Sequence, residues 1–481
     1  MARDIFKCGE TNLLVYIIVI LFGVGSWVAI NGLWVELPVM VPHLNEGWTL
    51  PSYLSVIIQL ANIGPLIVTL CNVFAPGKLK EKPVVYVITV IGAAACFLLA
   101  FFWKTSTYIA GAQRSTALLV LQFMLALVDC TSSVVFLPFM AIFKPQYMTA
   151  YFIGEGMSGL IPSVVALGQG VGQMTCQNVS SYNSTSNVTS FSIQPIFEKP
   201  KISVEDFFFF LFAMMLVSGL AFTLLNYLPY CKMEHARNKE YEESDTTTSS
   251  QMSSSYEMRR EAPGAAGRFS DPADAGSSSD KLIKQGPKKQ KLKINTEDVS
   301  FEKTPKGQAI IPKSKYLYFL VLTAGINGIS NGVLPSVQTY SCLPYGNEVY
   351  HLAVTLANIA NPVACFIAFF VPVTSSLVIS LLTVLGLGTS GFLLLTAATS
   401  PTPVLVGTTA GNIIVVAAWV IAFLLLVFTK VSIATLFRQE GRKALFWVGA
   451  MTQLGSLIGA IIMYCLVNIA NMFKMAPYCP S

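Results

Sequence analysis

Ile30-Asn31-Gly32, followed by Leu60-Ala61-Asn62-Ile63, is the stretch that decides the fold, because both strings recur later in the chain. They return as Ile326-Asn327-Gly328 and Leu356-Ala357-Asn358-Ile359, each at an offset of 296 residues (326 minus 30 and 356 minus 60). All four strings lie in long apolar runs, where lipid penalises a polar side chain. Two equivalent halves with polar residues at matching depths are typical of alternating-access transporters.

The composition is that of a membrane protein. Hydrophobic residues make up 53% of the chain and charged residues 12%, whereas a soluble domain carries roughly a quarter charged residues. We count eleven apolar runs that each exceed the roughly 20 helical residues needed to cross the hydrocarbon layer. They lie near residues 13–39, 50–74, 83–103, 116–143, 147–172, 206–229, 315–340, 348–371, 376–398, 404–429 and 444–472. The sequence therefore predicts an all-α membrane protein with eleven transmembrane helices.

A polar stretch divides these helices into six and five. Residues 230–314 are rich in Ser, Thr, Lys, Glu, Gly and Pro, which predicts a disordered cytosolic linker. Because six is even, both repeats enter the membrane in the same direction, and we expect a pseudo-two-fold bundle resembling the major facilitator type. The other expected parts are a cytosolic N-terminus (1–12), a six-helix bundle (13–229) with an extracellular loop (173–205), a five-helix bundle (315–472) and an extracellular tail (473–481).

The distribution of positive charge predicts the orientation. With the N-terminus in the cytosol, ten Lys and Arg residues of the short segments fall inside the cell and five fall outside, as the positive-inside rule requires. Sequons for N-glycosylation at Asn178, Asn183 and Asn187 follow the fifth helix, on the side that this topology places outside. We therefore expect a cytosolic N-terminus, an extracellular C-terminus and a glycosylated outer loop.

Three of the ten cysteines, Cys176, Cys342 and Cys479, face outside in this topology. A disulfide between Cys342 and Cys479 is expected to tie the loop after the seventh helix to the C-terminal tail. Three cysteines also allow other pairings, so the sequence alone leaves the partner of each one open.

Three acidic residues, Glu36, Asp129 and Glu155, fall well inside predicted helices, and no basic residue does. An ionisable side chain at a helix centre costs roughly 2.5–3.5 kcal/mol on insertion scales, so such residues usually serve function. A cavity with so few charges suits a neutral polar solute, with a proton carried by one acid. The three acids are the candidate proton-coupling residues.

Further polar and aromatic residues mark single faces of otherwise apolar helices, which should turn toward the bundle interior. The candidate substrate-binding residues are Trp27, Asn31, Gln59, Asn62, Asp129, Ser133, Phe136, Glu155, Asn327 and Asn358. A second interpretation is structural: the serines join neighbouring helices, and asparagines before a proline such as Pro65 or Pro362 satisfy backbone groups at a kink.

Catalytic motifs are missing from the sequence. It contains three histidines, and it lacks an HExxH motif, a phosphate-binding loop and paired cysteine ligands. We expect no enzymatic activity, no cofactor, no metal site and no nucleic-acid partner.

Six strings carry a resemblance to a known family. They are 25–38 (GSWVAINGLWVELP), 51–54 (PSYL), 59–65 (QLANIGP), 127–133 (LVDCTSS), 154–160 (GEGMSGL) and 341–346 (SCLPYG). Through them the chain resembles the eukaryotic riboflavin transporters of the solute-carrier superfamily over nearly all of its membrane portion. The resemblance implies eleven helices in a six-plus-five bundle, with a fold related to that of equilibrative nucleoside transporters.

The same resemblance implies sodium-independent uptake of riboflavin across the plasma membrane, either facilitated or influenced by protons. Riboflavin is neutral, with a flat apolar ring, a uracil-like edge and a hydroxyl-rich chain, and it suits aromatic, amide and small polar side chains. Two alternatives stay open: a carrier of nucleosides or another neutral heterocycle, and a membrane receptor that binds its ligand without moving it. Beyond substrate and lipid bilayer no partner is expected, and the protein is expected to be a monomer.

Overall fold

The computed structural model describes residues 7–8, 11–75, 78–109, 111–144, 146–172, 174–183, 188–235, 311–371, 373–477 and 479. Within these residues ten helices are long and apolar enough to span a membrane, and a bent pair, Leu13–Val24 with Val28–His43, makes an eleventh span. Six spans precede the predicted linker and five follow it, so the predicted all-α fold with eleven transmembrane helices is confirmed. Residues 236–310, most of that linker, lie outside the described part of the chain.

The described residues of the first half form nine α-helices. They are α1 (Leu13–Val24), α2 (Val28–Met40), α3 (Leu50–Ala61), α4 (Ile63–Phe74), α5 (Glu81–Phe102), α6 (Thr116–Met140), α7 (Gln146–Gln169), α8 (Val204–Tyr227) and the short α9 (Pro229–Met233). Side-chain caps fix two of their starts: Asn12 accepts a hydrogen bond from the backbone of Leu14, and Ser203 accepts one from Asp206. Such caps satisfy amide groups that a helix leaves free at its N-terminus.

In the second half, the residues that the structure describes form six α-helices and two π-helical turns. They are α10 (Lys313–Asn327), a π-helical turn (Gly328–Val333), α11 (Leu334–Cys342), α12 (Asn347–Phe370), α13 (Ser376–Ala398), α14 (Thr409–Glu440), α15 (Arg442–Tyr464) and a second π-helical turn (Cys465–Ile469). We call the end of the bundle where α1 begins the N-side and the opposite end the C-side. The first span of each half, α1–α2 and α10–α11, runs from the N-side to the C-side.

Among the described residues, three antiparallel hairpins lie outside the spans, none of them predicted from the sequence. They are β1 (Lys7–Cys8) with β2 (Thr11–Asn12), β3 (Thr107–Ile109) with β4 (Ala112–Arg114), and β5 (Met174–Asn183) with β6 (Val188–Phe197). The third hairpin occupies the predicted outer loop. Strand β5 carries the sequon residues Asn178 and Asn183, and Asn187 lies outside the described residues.

Several spans are bent, interrupted or longer than the apolar runs in the sequence. Helices α1 and α2 meet at an angle of 54°, and Asn62 separates α3 from α4. Helix α14 is 32 residues long, about 48 Å at 1.5 Å per residue. It therefore extends past the predicted end at residue 429 and includes Lys430. The expectation that no basic residue lies inside a helix is wrong, because the helix continues where the apolar run stops.

The two halves pack through a few helices. Helices α2 and α7 of the first half contact α12 of the second, and α3 contacts α11 and α15. Helix α13 packs against α11 and α14 of its own half. The strings repeated in the sequence thus lie on helices at or beside the junction of the halves.

The predicted disulfide between Cys342 and Cys479 is wrong, although Cys479 does form a disulfide. Cys479 pairs with Cys176 of strand β5, with the two Cα atoms 5.8 Å apart. Cys342 is a free thiol, fully buried at the last residue of α11. It is enclosed by the bundle, whereas Cys176 lies on a hairpin outside the spans, so the tail reaches the hairpin and joins the first half to the second.

Candidate functional site

The break between α1 and α2 is formed by Gly25, Ser26 and Trp27. A Cβ atom on Gly25 would fall 2.1 Å from Oγ of Ser218 on α8, so a glycine is needed for α8 to approach this closely. The Ser218 hydroxyl donates a 2.9 Å hydrogen bond to the backbone oxygen of Phe22. Close packing against α8 therefore stabilises the chain where the first helix stops.

Helix α6 supports the other side of the break. The backbone amide of Ile30, in the first turn of α2, donates a 3.0 Å hydrogen bond to Oδ2 of Asp129. The Ser132 hydroxyl donates to the backbone oxygen of Ser26 at 3.0 Å. A carboxylate at a helix N-terminus satisfies a free amide and interacts favourably with the helix dipole. Asp129 is fully buried, so it acts here as a cap on α2 and does not reach an open cavity.

A central polar cluster joins the two halves at mid-membrane. Nδ2 of Asn31 on α2 lies 3.4 Å from Oγ of Ser158 on α7, and Nδ2 of Asn358 on α12 donates to the backbone oxygen of Asn31 at 3.4 Å. A Cβ on Gly159 would lie 3.3 Å from Nδ2 of Asn31. Both asparagines are partly exposed, their bonds are long for N–H···O contacts, and each amide retains unused hydrogen-bonding capacity. The cluster can therefore accept and donate further bonds to a polar ligand.

The repeat-equivalent Asn327 lies in a different environment. It is fully buried, and its Nδ2 donates to the backbone oxygen of Thr323 at 2.8 Å and to Oγ1 of Thr452 at 3.3 Å. Nδ2 of Asn331 donates to Oδ1 of Asn327 at 3.3 Å and to Oγ of Ser456 at 3.1 Å. This asparagine network joins α10 and the π-helical turn to α15, and it matches the packing interpretation of Asn327.

Gln59 and Asn62 form a separate pair. Nδ2 of Asn62 donates to Oε1 of Gln59 at 3.3 Å, at the break between α3 and α4. Asn62 is partly exposed and Gln59 is buried. The pair accompanies the interruption of the second span, as the kink interpretation predicted, and it is not joined to the central cluster by any hydrogen bond between the described residues.

The predicted aromatic and serine residues fall into two groups, those with an exposed surface and those in the packed core. Trp27 is partly exposed and Ser133 is exposed, so both side chains have a free surface. Phe136 is buried, with its ring centroid 4.4 Å from that of Phe22, which in turn stacks on Phe222. Phe136 therefore belongs to the packed core of the first half.

The other two acids also differ from each other. Glu36 is fully buried, and its Oε1 accepts a 2.9 Å hydrogen bond from Nε2 of Gln169 on α7. Glu155 is partly exposed, and its charge interacts with that of Lys430 on α14 of the opposite half. Lys430 was not predicted as a site residue, because the apolar run ends at residue 429 whereas the helix continues to Glu440.

A C-side seam closes the bundle between the halves. Three hydrogen bonds form it: Trp34 Nε1 to Gln338 Oε1 at 3.3 Å, Thr339 Oγ1 to the backbone oxygen of Trp48 at 2.6 Å, and Asn468 Nδ2 to Ser52 Oγ at 2.7 Å. Edge-to-face ring pairs add to the contact, with Trp48 on Tyr340 and Tyr53 on Tyr464. The seam separates the central cluster from the C-side.

A metal centre finds no support in the described part of the chain, which holds no group of three or more His, Cys, Asp and Glu residues able to bind an ion. The central cluster contains amide and hydroxyl groups with one acid beside it. Its chemistry is that of reversible recognition of a polar solute.

Comparison with known sequences gives one family. The model of the family described as solute carrier family 52, riboflavin transporter, matches residues 11–475. Riboflavin transporter 2 of Salmo salar is 44% identical, with 97% of this chain and 98% of that protein covered. Solute carrier family 52, riboflavin transporter, member 3 of Homo sapiens is 38% identical, also with 97% of this chain and 98% of that protein covered.

Comparison with solved structures concerns the fold alone. A POT family transporter in complex with 5-aminolevulinic acid superposes with a TM-score of 0.54 at 10% identity, covering 97% of this chain and 93% of that chain. The xylose transporter XylE from E. coli superposes with a TM-score of 0.50 at 10% identity, covering 94% and 91%. Both likenesses agree with the predicted two-half transporter bundle.

Proposed function

Because the chain belongs to the solute carrier family 52 of riboflavin transporters, we propose that it carries riboflavin across the cell membrane by alternating access between its two halves. The match over residues 11–475 carries this proposal. The central cluster supports it, since Asn31 and Ser158 come from one half and Asn358 from the other. A site shared by two moving bundles is opened to one side or the other by their rocking.

The chemistry of the cluster suits this substrate. Asn31 and Asn358 each supply amide donors and an amide oxygen for the uracil-like edge of the ring, and Ser158 supplies a hydroxyl for the polar chain. Trp27, one helical turn before Asn31, offers an aromatic plane for stacking. The remaining candidates, Gln59, Asn62, Ser133 and Asn327, do not join this cluster through the contacts described above.

We propose that the N-side faces the cytosol and the C-side the outside. The charge asymmetry of the loops favours this orientation, and the sequons at Asn178 and Asn183 then lie on an extracellular hairpin, open to glycosylation. In this orientation the C-side seam joins the two halves on the outer side of the central cluster. Replacing the sequon asparagines with glutamine should shift the protein to a lower mass on a denaturing gel, and an unchanged mass would contradict the assignment.

Proton influence and sodium independence are further parts of the proposal. Glu155 is the best placed of the three acids, since it is partly exposed and lies three residues before Ser158 of the central cluster. Glu36 and Asp129 are buried and hold helix backbone or a glutamine in place. Uptake by Glu155→Gln should lose its dependence on external pH, while an unchanged pH profile would remove Glu155 from any coupling.

Transport is tested with the purified full-length protein in liposomes. Labelled riboflavin should accumulate inside, without sodium, and excess lumiflavin should compete more strongly than uridine or adenosine. Stronger competition by the nucleosides would favour the alternative carrier function. Saturable binding without accumulation would indicate a receptor. Neither an enzymatic activity nor a protein partner is part of the proposal, and we expect a monomer.

A further inference from the structure

A groove on the second half is unrelated to the central cluster. It lies between α10 and α13, has a volume of about 400 Å³, and its lining is apolar except for one tyrosine and one threonine. The lining residues are Tyr318, Val321, Leu322, Gly325, Ile326, Ile329, Thr383 and Leu387. The main contacts of helix α13 are all with elements of its own half. On the same helix, Leu377, Leu381 and Val384 expose more than half of their surface. This face therefore points to lipid.

The groove has the length of one acyl chain in one leaflet. From Tyr318 to Ile329 it follows α10 for eleven residues, about 16 Å at 1.5 Å per residue, and half of the hydrocarbon core is about 15 Å thick. At its N-side end the hydroxyls of Tyr318 and Ser380 share a 2.8 Å hydrogen bond that joins α10 to α13. A Cβ on Gly325 would meet no atom within 4 Å, so the centre of the groove is open space.

Positive charge lies above the N-side end of this groove. Lys313 and Lys315 occupy the first turn of α10, and both are exposed. Lys315 is on the same helical stripe as Tyr318, Leu322 and Gly325, at successive spacings of three, four and three residues. Neither lysine forms an ion pair within the described residues, and the nearby carboxylate of Glu440 accepts from the backbone of Ile311. The lysines are thus available to an anion from the membrane surface.

We propose that this groove binds one anionic glycerophospholipid of the cytosolic leaflet, with an acyl chain along α10 and the headgroup phosphate at Lys315. Basic residues beside a gap between transmembrane helices on the cytosolic side are suited to acidic headgroups. The groove ends at Ile329, inside the π-helical turn that interrupts the first span of the second half. A chain bound along the groove therefore reaches that turn. The assignment of the leaflet depends on the proposed orientation, whereas binding itself does not depend on orientation or transport.

The experiment measures thermal stabilisation and native mass spectra of the purified full chain in detergent with added phosphatidylserine or phosphatidylcholine. Phosphatidylserine should raise the Tm and remain bound as one molecule, and phosphatidylcholine should do so much less. Lys315→Ala should weaken binding about five-fold, the effect of one lysine near an acidic membrane surface. Gly325→Leu should weaken it roughly fifteen-fold, because its side chain takes the place of about two methylene groups of the acyl chain and each one changes affinity about four-fold.

Two control variants match these changes. Lys80→Ala removes an exposed lysine that precedes α5 in the first half, and Gly388→Leu fills open space on α13 at a glycine outside the lining. Both should bind phosphatidylserine as the unchanged protein does. Equal losses of phosphatidylserine binding in the test and control variants would overturn the proposal. It would also be overturned if cholesterol raised the Tm, phosphatidylserine did not, and Gly325→Leu abolished the effect of cholesterol. Stabilisation by glycerophosphoserine, which has no acyl chain, would refute the role of the groove.

Discussion

The first spans of the two halves carry the same repeated asparagine, but the backbone around it differs between them. In the first half the span breaks at Gly25–Trp27, bends by 54°, and is supported by side chains of α6 and α8. In the second half the span continues through a π-helical turn, and Asn327 is fully bonded to its own surroundings. The repeat therefore preserves the position of the polar residue without preserving its role.

This difference assigns recognition and support to separate asparagines. Asn31 is free to bind because Asp129 and Ser132 of another helix satisfy the broken backbone. The side chains of Asn327 and Asn331 themselves join the second span to α15, so their amides have little capacity left to bind a substrate. The comparison predicts that substitutions in the first span alter uptake and substitutions in the second span alter stability.

The largest effect is expected at Asp129. Asp129→Ala leaves the buried amide of Ile30 without a partner, which costs about 1–3 kcal/mol, and it removes the carboxyl group that caps α2. We expect a lower Tm and riboflavin uptake reduced more than about ten-fold. Asp129→Asn keeps an oxygen acceptor and should keep most of the Tm, measured by thermal unfolding of the purified protein. Ser133→Ala, on the same helix and exposed, is the control.

The two aspartate variants distinguish support from proton coupling. If Asp129→Asn folds with an unchanged Tm but loses its pH-dependent uptake, Asp129 carries a proton in addition to capping α2. If Asp129→Ala is as stable as the parent, the capping role is wrong.

A smaller effect is expected when the equivalent asparagines are compared. Asn31→Ala should raise the KM of riboflavin uptake about five- to ten-fold, because one hydrogen bond of roughly 1–1.4 kcal/mol is lost. Asn327→Ala should leave KM within about two-fold and lower the Tm. Uptake kinetics in liposomes at equal protein content measure the first effect. The reverse pattern would show that the second span holds the substrate.

Coupling across the halves should be smaller still. Asn31 and Asn358 are proposed to hold the same substrate from opposite halves, and Asn358 also contacts the backbone of Asn31, so the effects of Asn31→Ala and Asn358→Ala on KM should fail to add by about 0.5–1.5 kcal/mol. The pair Asn31→Ala and Asn62→Ala, which share no described hydrogen bond, should be additive within about 0.5 kcal/mol. Additivity in both cycles would separate Asn358 from the site.

The smallest effect belongs to Asn331. Its side chain donates two hydrogen bonds inside the second half, and such bonds average about 0.6 kcal/mol each in membrane proteins. Asn331→Ala should therefore reduce stability by about 1 kcal/mol, with uptake unchanged, as measured by chemical unfolding in detergent. Thr389→Ala, which removes a hydroxyl bonded within its own helix, serves as the reference for a local loss. A strong uptake defect in Asn331→Ala would contradict the division of roles.

Much of the fold could be predicted from the sequence because length and polarity decide whether a helix spans a membrane. The repeat also identified Asn31 and Asn358, which meet across the halves. The bend after Val24 could not be predicted, since it depends on Gly25 meeting Ser218 about 190 residues later. The capping role of Asp129 and the extension of α14 to include Lys430 likewise depend on tertiary contacts that spacing along the chain does not reveal.

The bridge from Cys176 to Cys479 has a mechanical consequence for the outer surface. Cys479 lies nine positions after Ala470, the residue after the last helical turn (479 minus 470), a tether of about 30 Å when extended. In the proposed orientation, a tether of this length links the two halves on the outside without fixing them at one separation. The hairpin therefore remains covalently joined to the second half while the halves rock.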